Sequence, residues 1–181
     1  MKTISFRSDV LPLKNVLYRL ALRITLSHED AEDVVQDTLL KVWSRRNDWQ
    51  QIQNLEAYAM TTARNLALDK NKRAGAHTVS LDAMPAVHAL QGTTAAAGTS
   101  SGSTNPYDRI FQQDRLQYVR QLIDQLPERQ RSCMQLRDVE EKSYREISEI
   151  LGISEELVKV NIFRARQTIK QKMKEAEEYG L

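Results

Sequence analysis

The 181-residue chain has one cysteine, Cys133, so it can form no internal disulfide and has no thiolate cluster for a metal. It has only six glycines and four prolines, and aromatic residues make up 6% of the sequence. No apolar run approaches the roughly 18 residues that a spanning helix requires. The opening Met1-Lys-Thr-Ile-Ser-Phe-Arg-Ser-Asp9 lacks the apolar centre of a secretory signal. These absences place the expected location in the cytoplasm. No nucleophile–base pair, metal-ligand spacing or glycine-rich phosphate loop is visible, so neither enzymatic activity nor a cofactor is expected. A nuclease would need clustered carboxylates, for which Glu32, Asp33 and Asp37 on one helix are the weak candidate.

The net charge of +2 is unevenly spread. Residues 1–73 carry 12 basic and 9 acidic residues, residues 74–106 carry no Lys or Arg, and residues 107–181 carry 14 of each sign. Between Lys159 and Lys174 stand six basic residues (Lys159, Arg164, Arg166, Lys170, Lys172, Lys174) and no acid. A nucleic-acid binder needs only such a local basic surface, because the phosphate term depends on contacts made.

That basic run belongs to two helices joined at Gly152-Ile-Ser154. Ile147, Ile150 and Leu151 fall on one face of the first helix, and Leu157, Val158, Ile162 and Ala165 on one face of the second. Gly152 suits a sharp turn at positive φ, and the Ser154 hydroxyl can cap the second helix. The pattern is a helix-turn-helix, able to place its second helix in a DNA major groove or, more plainly, a helical hairpin with a solvated basic face.

Earlier in the chain, Val10, Leu13, Leu17, Leu20, Ala21 and Ile24 repeat at helical spacing over 9–26, with Pro12 in the first turn. Ser27 to Asp30 reads as a capping box opening a helix over about 28–46, whose buried stripe is Ala31, Val34, Val35, Thr38, Leu39 and Val42. Its other face carries Glu32, Asp33, Gln36, Asp37 and Lys41, which by themselves suit the helix dipole and solubility. A polar connector, 45–54, contains Trp49; Trp43 is assigned to the core and Trp49 to the exposed surface. Asn54 caps a helix over about 55–73 with Leu55, Tyr58, Ala59, Thr62 and Leu66 inward and Arg64, Lys70, Lys72 and Arg73 at its end. Aromatics beside basic residues suit single-stranded nucleic acid.

Residues 74–106 lose periodicity and read as a flexible linker, and His77 and His88 there lack the company of a metal site. Asn105-Pro106 opens a helix to about Leu126 with Ile110, Leu116, Val119, Leu122, Ile123 and Leu126 inside. Pro127 restarts a helix over about 127–138 with Met134, Leu136 and Val139 partly buried and Cys133 as a small core residue. The expected fold is all-α: two small helical domains, 1–73 and 107–181, joined by the linker 74–106, the second a four-helix domain containing the helix-turn-helix.

Two blocks of residues resemble a bacterial RNA polymerase sigma factor of the extracytoplasmic-function (ECF) subgroup. The first is Asp30-Ala-Glu-Asp-Val-Val-Gln-Asp-Thr-Leu-Leu-Lys-Val-Trp43, followed by Ala63-Arg-Asn-Leu-Ala-Leu-Asp69 with Lys72-Arg73. The second is Leu126-Pro-Glu-Arg-Gln-Arg131, Leu136-Arg137, Tyr144-Arg-Glu-Ile147, Leu151-Gly-Ile-Ser154, Val158-Lys159 and Arg164-Ala-Arg166. The resemblance implies a non-enzymatic transcription initiation factor that binds core RNA polymerase, reads promoter −10 and −35 elements and promotes melting. It implies docking on the clamp helices of the largest polymerase subunit through Asp33, Gln36 and Asp37, with the flap of the second largest subunit as a further partner. It implies −10 contacts from Trp49, Asn54, Tyr58, Arg64, Asn65, Lys72 and Arg73, and −35 contacts from Lys159, Val160, Phe163, Arg164 and Arg166. An anti-sigma factor is an implied partner, and no stable membrane insertion is implied.

The chain departs from the family pattern at Glu156-Leu157, where Gly-Thr is usual, and at Val160-Asn161, which replaces a common Ser-Arg. Thr61-Thr62 and Tyr58 replace a usual Arg-Ile and Trp. The alternative reading is a stand-alone helix-turn-helix regulator in which residues 1–73 serve dimerisation or sensing.

Overall fold

The chain enters through a wide π-helical turn, Phe6–Val10, and a 3₁₀ turn, Leu11–Leu13, that holds Pro12 before the first α-helix. The structure, a computed structural model, describes residues 5–77 and 106–178. Helix α1 (Lys14–Thr25) buries Leu17, Leu20, Ala21 and Ile24. It stops at Leu26, which adopts a left-handed φ of 57° and donates its N–H to the Leu22 carbonyl at 2.9 Å. Glycine is the usual residue there, since a Cβ makes this conformation costly.

Helix α2 (His28–Ser44) is capped by Ser27, whose hydroxyl accepts the Asp30 N–H at 3.3 Å. The other half of the expected capping box does not form. The Asp30 carboxylate turns instead to Lys70, at 3.3 Å. After α2, a 3₁₀ turn (Arg46–Gln51) folds the connector back, and Asn54 caps α3 (Leu55–His77) by accepting the Ala57 N–H at 3.0 Å.

Helices α1, α2 and α3 pack mutually around Leu17, Leu20, Ile24, Val34, Val42 and Met60, all fully buried. Small residues at Ala59, Ala63 and Ala67 let α3 approach its neighbours closely. Helix α3 is covered on a second side by the C-terminal helices, which explains why its apolar residues form no single stripe.

The C-terminal helices are α4 (Pro106–Asp124), α5 (Glu128–Met134), α6 (Tyr144–Leu151) and α7 (Glu155–Glu178), with a π-helical turn at Gln135–Val139. Helix α7 packs against α4, α5 and α6, burying Val158, Ile162 and Ala165 against Cys133, Leu136, Ile147 and Ile150. The described residues are all-helical, with no strand among them.

Besides Trp43 near the end of α2, three expected core positions lie outside it: Leu116 is 58% exposed, Val139 53% and Leu157 48%. Helix α4 is covered mainly by α7, and of its described side chains, 114–124, only Leu122 is fully buried; Leu126 is buried just beyond the helix end. Val139 ends the π-helical turn, whose wider winding rotates it off the α-helical stripe. Leu157 falls beside the strip centred on Val158. Residues 74–77, expected to open the linker, instead continue helix α3 through His77, whereas residues 78–105, including His88, and the Ile110 side chain lie outside the described residues.

The two helical units pack together. Helix α1 lies against α5 and the Gln135–Val139 turn, and α3 lies against α6. Arg19 makes a two-pronged pair with Glu140, both bonds 2.7 Å, and the Glu140 side chain is only 4% exposed. Arg23 donates to Asp124 at 2.7 Å and to Gln135 at 3.1 Å, and Lys142 meets Glu56 at 2.7 Å.

Candidate nucleic-acid interface

The outward face of α2 brings Glu32, Asp33, Gln36 and Asp37 together in solvent. Lys70 of α3 reaches across to Asp33 at 2.6 Å and Asp30 at 3.3 Å, and these bonds, Asp33 first, raise the lysine above its ordinary pKa. Asp33 is thus engaged within the chain, whereas Gln36 and Asp37 make no side-chain bond among the described residues. Leu40, 66% exposed, completes the same face one turn on from Gln36 and Asp37. Its spacing was a readable signal, since an apolar residue at i+4 from an acidic face is out of phase with the buried stripe.

The connector reverses one expectation. Trp49 is the buried ring, 5% exposed, and Trp43 the exposed one, at 45%. The last carbonyls of a helix lack intrahelical partners. Trp49 satisfies one, donating its indole N–H to the Val42 carbonyl at 2.9 Å, and the connector's back-fold carries the ring inward with it. Trp43 meets the Phe6 ring edge-on at 5.2 Å and lies under the Arg46 guanidinium at 5.1 Å. Phe6, Arg7, Trp43, Arg46 and Trp49 line an open cleft of about 550 Å³.

Of the remaining residues assigned to the −10 element, Asn65, Lys72 and Arg73 are exposed along α3, Lys72 two turns on from Asn65 and Arg73 next to it. Tyr58 is half-buried beneath Arg45, 5.8 Å from its ring, and Asn54 spends its carbonyl oxygen on the α3 cap. Arg64 points elsewhere. Its Nε is buried without a hydrogen-bond partner, and its charge partly offsets the burial that pushes the Cys133 thiol up to about 11. Such a thiol is inert near neutral pH.

The helix-turn-helix is built from local rules. Ser143 and Glu146 form a reciprocal capping box at the start of α6, and hydrogen bonds from the Ser143 hydroxyl and amide hold the Glu146 carboxyl below its usual range. Gly152 takes φ 63° at the turn, and Ser154 accepts the Leu157 N–H at 3.3 Å. Helix α7 then turns Lys159, Val160, Phe163, Arg164 and Arg166 outward, Phe163 being 67% exposed. Arg166 is tethered to Asp138, which raises its pKa and draws it to the flank. Lys159 and Arg137 both stack on Tyr144, at 5.6 and 4.6 Å from the ring centre.

Among the described residues, no His, Cys, Asp and Glu group is arranged to hold a metal ion, and no helix is long and apolar enough to cross a membrane.

Two family models match the chain: Sigma-70 region 2 over residues 10–77 and Sigma-70, region 4 over residues 116–169. The chain is similar to the ECF RNA polymerase sigma-E factor of Escherichia coli (strain K12), 30% identical over 148 residues that cover 80% of this chain and 74% of the relative. It is also 29% identical over 155 residues to the ECF RNA polymerase sigma factor SigE of Mycolicibacterium smegmatis, covering 85% of this chain and 56% of that longer relative. The fold resembles that of the sigma factor RpoE solved with the anti-sigma factor NepR from Bartonella quintana, with a TM-score of 0.68, 24% identity, and coverage of 93% of this chain and 96% of that one.

Proposed function

The chain belongs to the extracytoplasmic-function family of RNA polymerase sigma factors, a transcription-initiation family, and on that premise we propose how its surfaces divide the work. Residues 1–73 form the unit that docks on the polymerase clamp helices and reads the −10 element. Residues 107–181 read the −35 element as duplex and lie towards the flap of the second largest subunit. The protein acts in the cytoplasm and carries out no chemistry of its own.

The observation that carries this reading is the pair of faces left uncovered by a fold that covers so much else. The α2 face of Gln36, Asp37 and Leu40 is open, and so is the side of α7 opposite Val158 and Ile162. On the −10 side the contacts come from Asn65, Lys72, Arg73 and the rim of Tyr58. Trp49 serves beneath the surface as a support for the connector. Arg64 joins the −10 contacts only when the C-terminal helices leave α3.

Promoter elements about one and a half duplex turns apart are separated by roughly 50 Å. The packed units therefore have to part before both elements are read at once. The RpoE relative was solved with an anti-sigma factor. A partner of that kind that favours the packed arrangement would keep this chain off promoters.

The test is equilibrium binding to core polymerase together with run-off transcription from a random promoter library. Gln36→Ala with Asp37→Ala is expected to weaken core binding at least tenfold while helical content by circular dichroism stays unchanged. A wild-type chain that fails to bind core at micromolar concentration overturns the reading.

A further inference from the structure

We propose that α7 reads thymine in the −35 duplex by its 5-methyl group, through the apolar side chains of Val160 and Phe163. The proposal rests on the promoter-reading role above and names the chemistry of its −35 face. Winding at about 100° per residue sets Val160 and Phe163 opposite the buried strip of Val158, Ile162 and Ala165. Val160 is 40% exposed and Phe163 67%, and Leu157 at the flank is 48% exposed. A single exposed apolar side chain needs no explanation, but three within seven residues of one helix form a patch.

The surroundings select the occupant. Lys159 and Arg164 flank the patch, Lys170 follows it, and α7 carries no acid between Lys159 and Lys174. A rim of this kind favours a polyanion. In the major groove, the apolar group among the base edges is the thymine methyl. Polar readers on this face are few. Asn161 spends its amide on the Leu157 carbonyl at 2.7 Å, and Glu156 is held at the helix start by its own N–H and by Ser154.

The experiment uses full-length protein with core polymerase and the −35 duplex selected from the promoter library. Each thymine of the element is replaced in turn by deoxyuridine, which removes only the methyl group. At one or two positions the replacement should weaken binding about fourfold, the worth of one buried methyl. Val160→Ala and Phe163→Ala should bind the thymine duplex less tightly and lose that sensitivity to uracil. Both residues are exposed, so thermal melting is expected to match wild type. A wild type that selects promoters yet binds uracil and thymine duplexes equally overturns this inference alone. So do variants that keep the full thymine–uracil difference. A chain that selects no promoter at all overturns the sigma reading as well.

Discussion

Helices α3 and α7 are nearly equal in length, 23 and 24 residues, and both carry basic runs, yet the fold treats them differently. Helix α3 is enclosed by α1 and α2 on one side and by the C-terminal helices on another. Several of its polar side chains are correspondingly committed within the chain, Lys70 to Asp30 and Asp33 and Asn71 to the Ile24 carbonyl at 2.8 Å, and the Arg64 Nε is buried. Helix α7 buries one strip and leaves the rest in solvent, including apolar side chains. The same basic composition therefore marks a ready surface on α7 and a partly hidden one on α3. Basic residues alone do not say which.

The sharpest way to break the comparison is at the connector that delivers α3. Trp49→Ala removes a buried ring and its bond to the Val42 carbonyl, and should cost about 3–5 kcal/mol by urea denaturation. Trp43→Ala, at the exposed ring, should cost only about 1 kcal/mol, mostly its edge contacts with Phe6 and Trp49. Equal losses would contradict the reversed burial of the two tryptophans.

A smaller effect tests what encloses α3. Glu140→Ala leaves Arg19 without its carboxylate, and since that arginine is 43% exposed the loss should be about 1–2 kcal/mol. Solution scattering should show an increased radius as the units part, making α3 as accessible as α7. An unchanged radius would mean that apolar contact alone holds the interface.

The smallest expected change sharpens the other side, at the entry to the helix-turn-helix. Ser143→Ala should cost about 1 kcal/mol through loss of the cap. Because Glu146 is held below its usual range in the folded chain, its share of the capping is complete above the ordinary carboxylate range. It is lost as the pH falls through that lowered value. The penalty of Ser143→Ala, measured by urea midpoints, should therefore shrink in acid. A penalty independent of pH would show that Glu146 does not reciprocate.

The helix-turn-helix was legible almost residue by residue, because Gly152, Ser154 and the Ile147, Ile150 and Leu151 stripe act over a few positions. The α2 stripe was legible for the same reason. Sequence reasoning failed where a partner distant in the chain decides. Asp30 looked like half of a capping box until Lys70, 40 residues on, took its carboxylate. Trp49 looked solvent-exposed among polar neighbours until the carbonyl of Val42 drew it in. Within the candidate site, Asp37, Lys159 and Phe163 lie at the surface as their phase required. Arg64 is only partly exposed, its Nε buried without a partner and its charge felt at Cys133 of the other unit.

What the amino-acid order determined by itself is the main helices, the caps at Asn54 and Ser154 and the two blocks that mark the family. Hydrogen bonds to the nearest turn and the 3.6-residue period are local quantities that adjacent residues fully specify. The tertiary structure alone decided which of two basic helices keeps an open face, which tryptophan is buried and that the two units close on each other. Those outcomes depend on ion pairs such as Arg19 with Glu140, 121 residues apart, and on surfaces that meet only after the chain has folded.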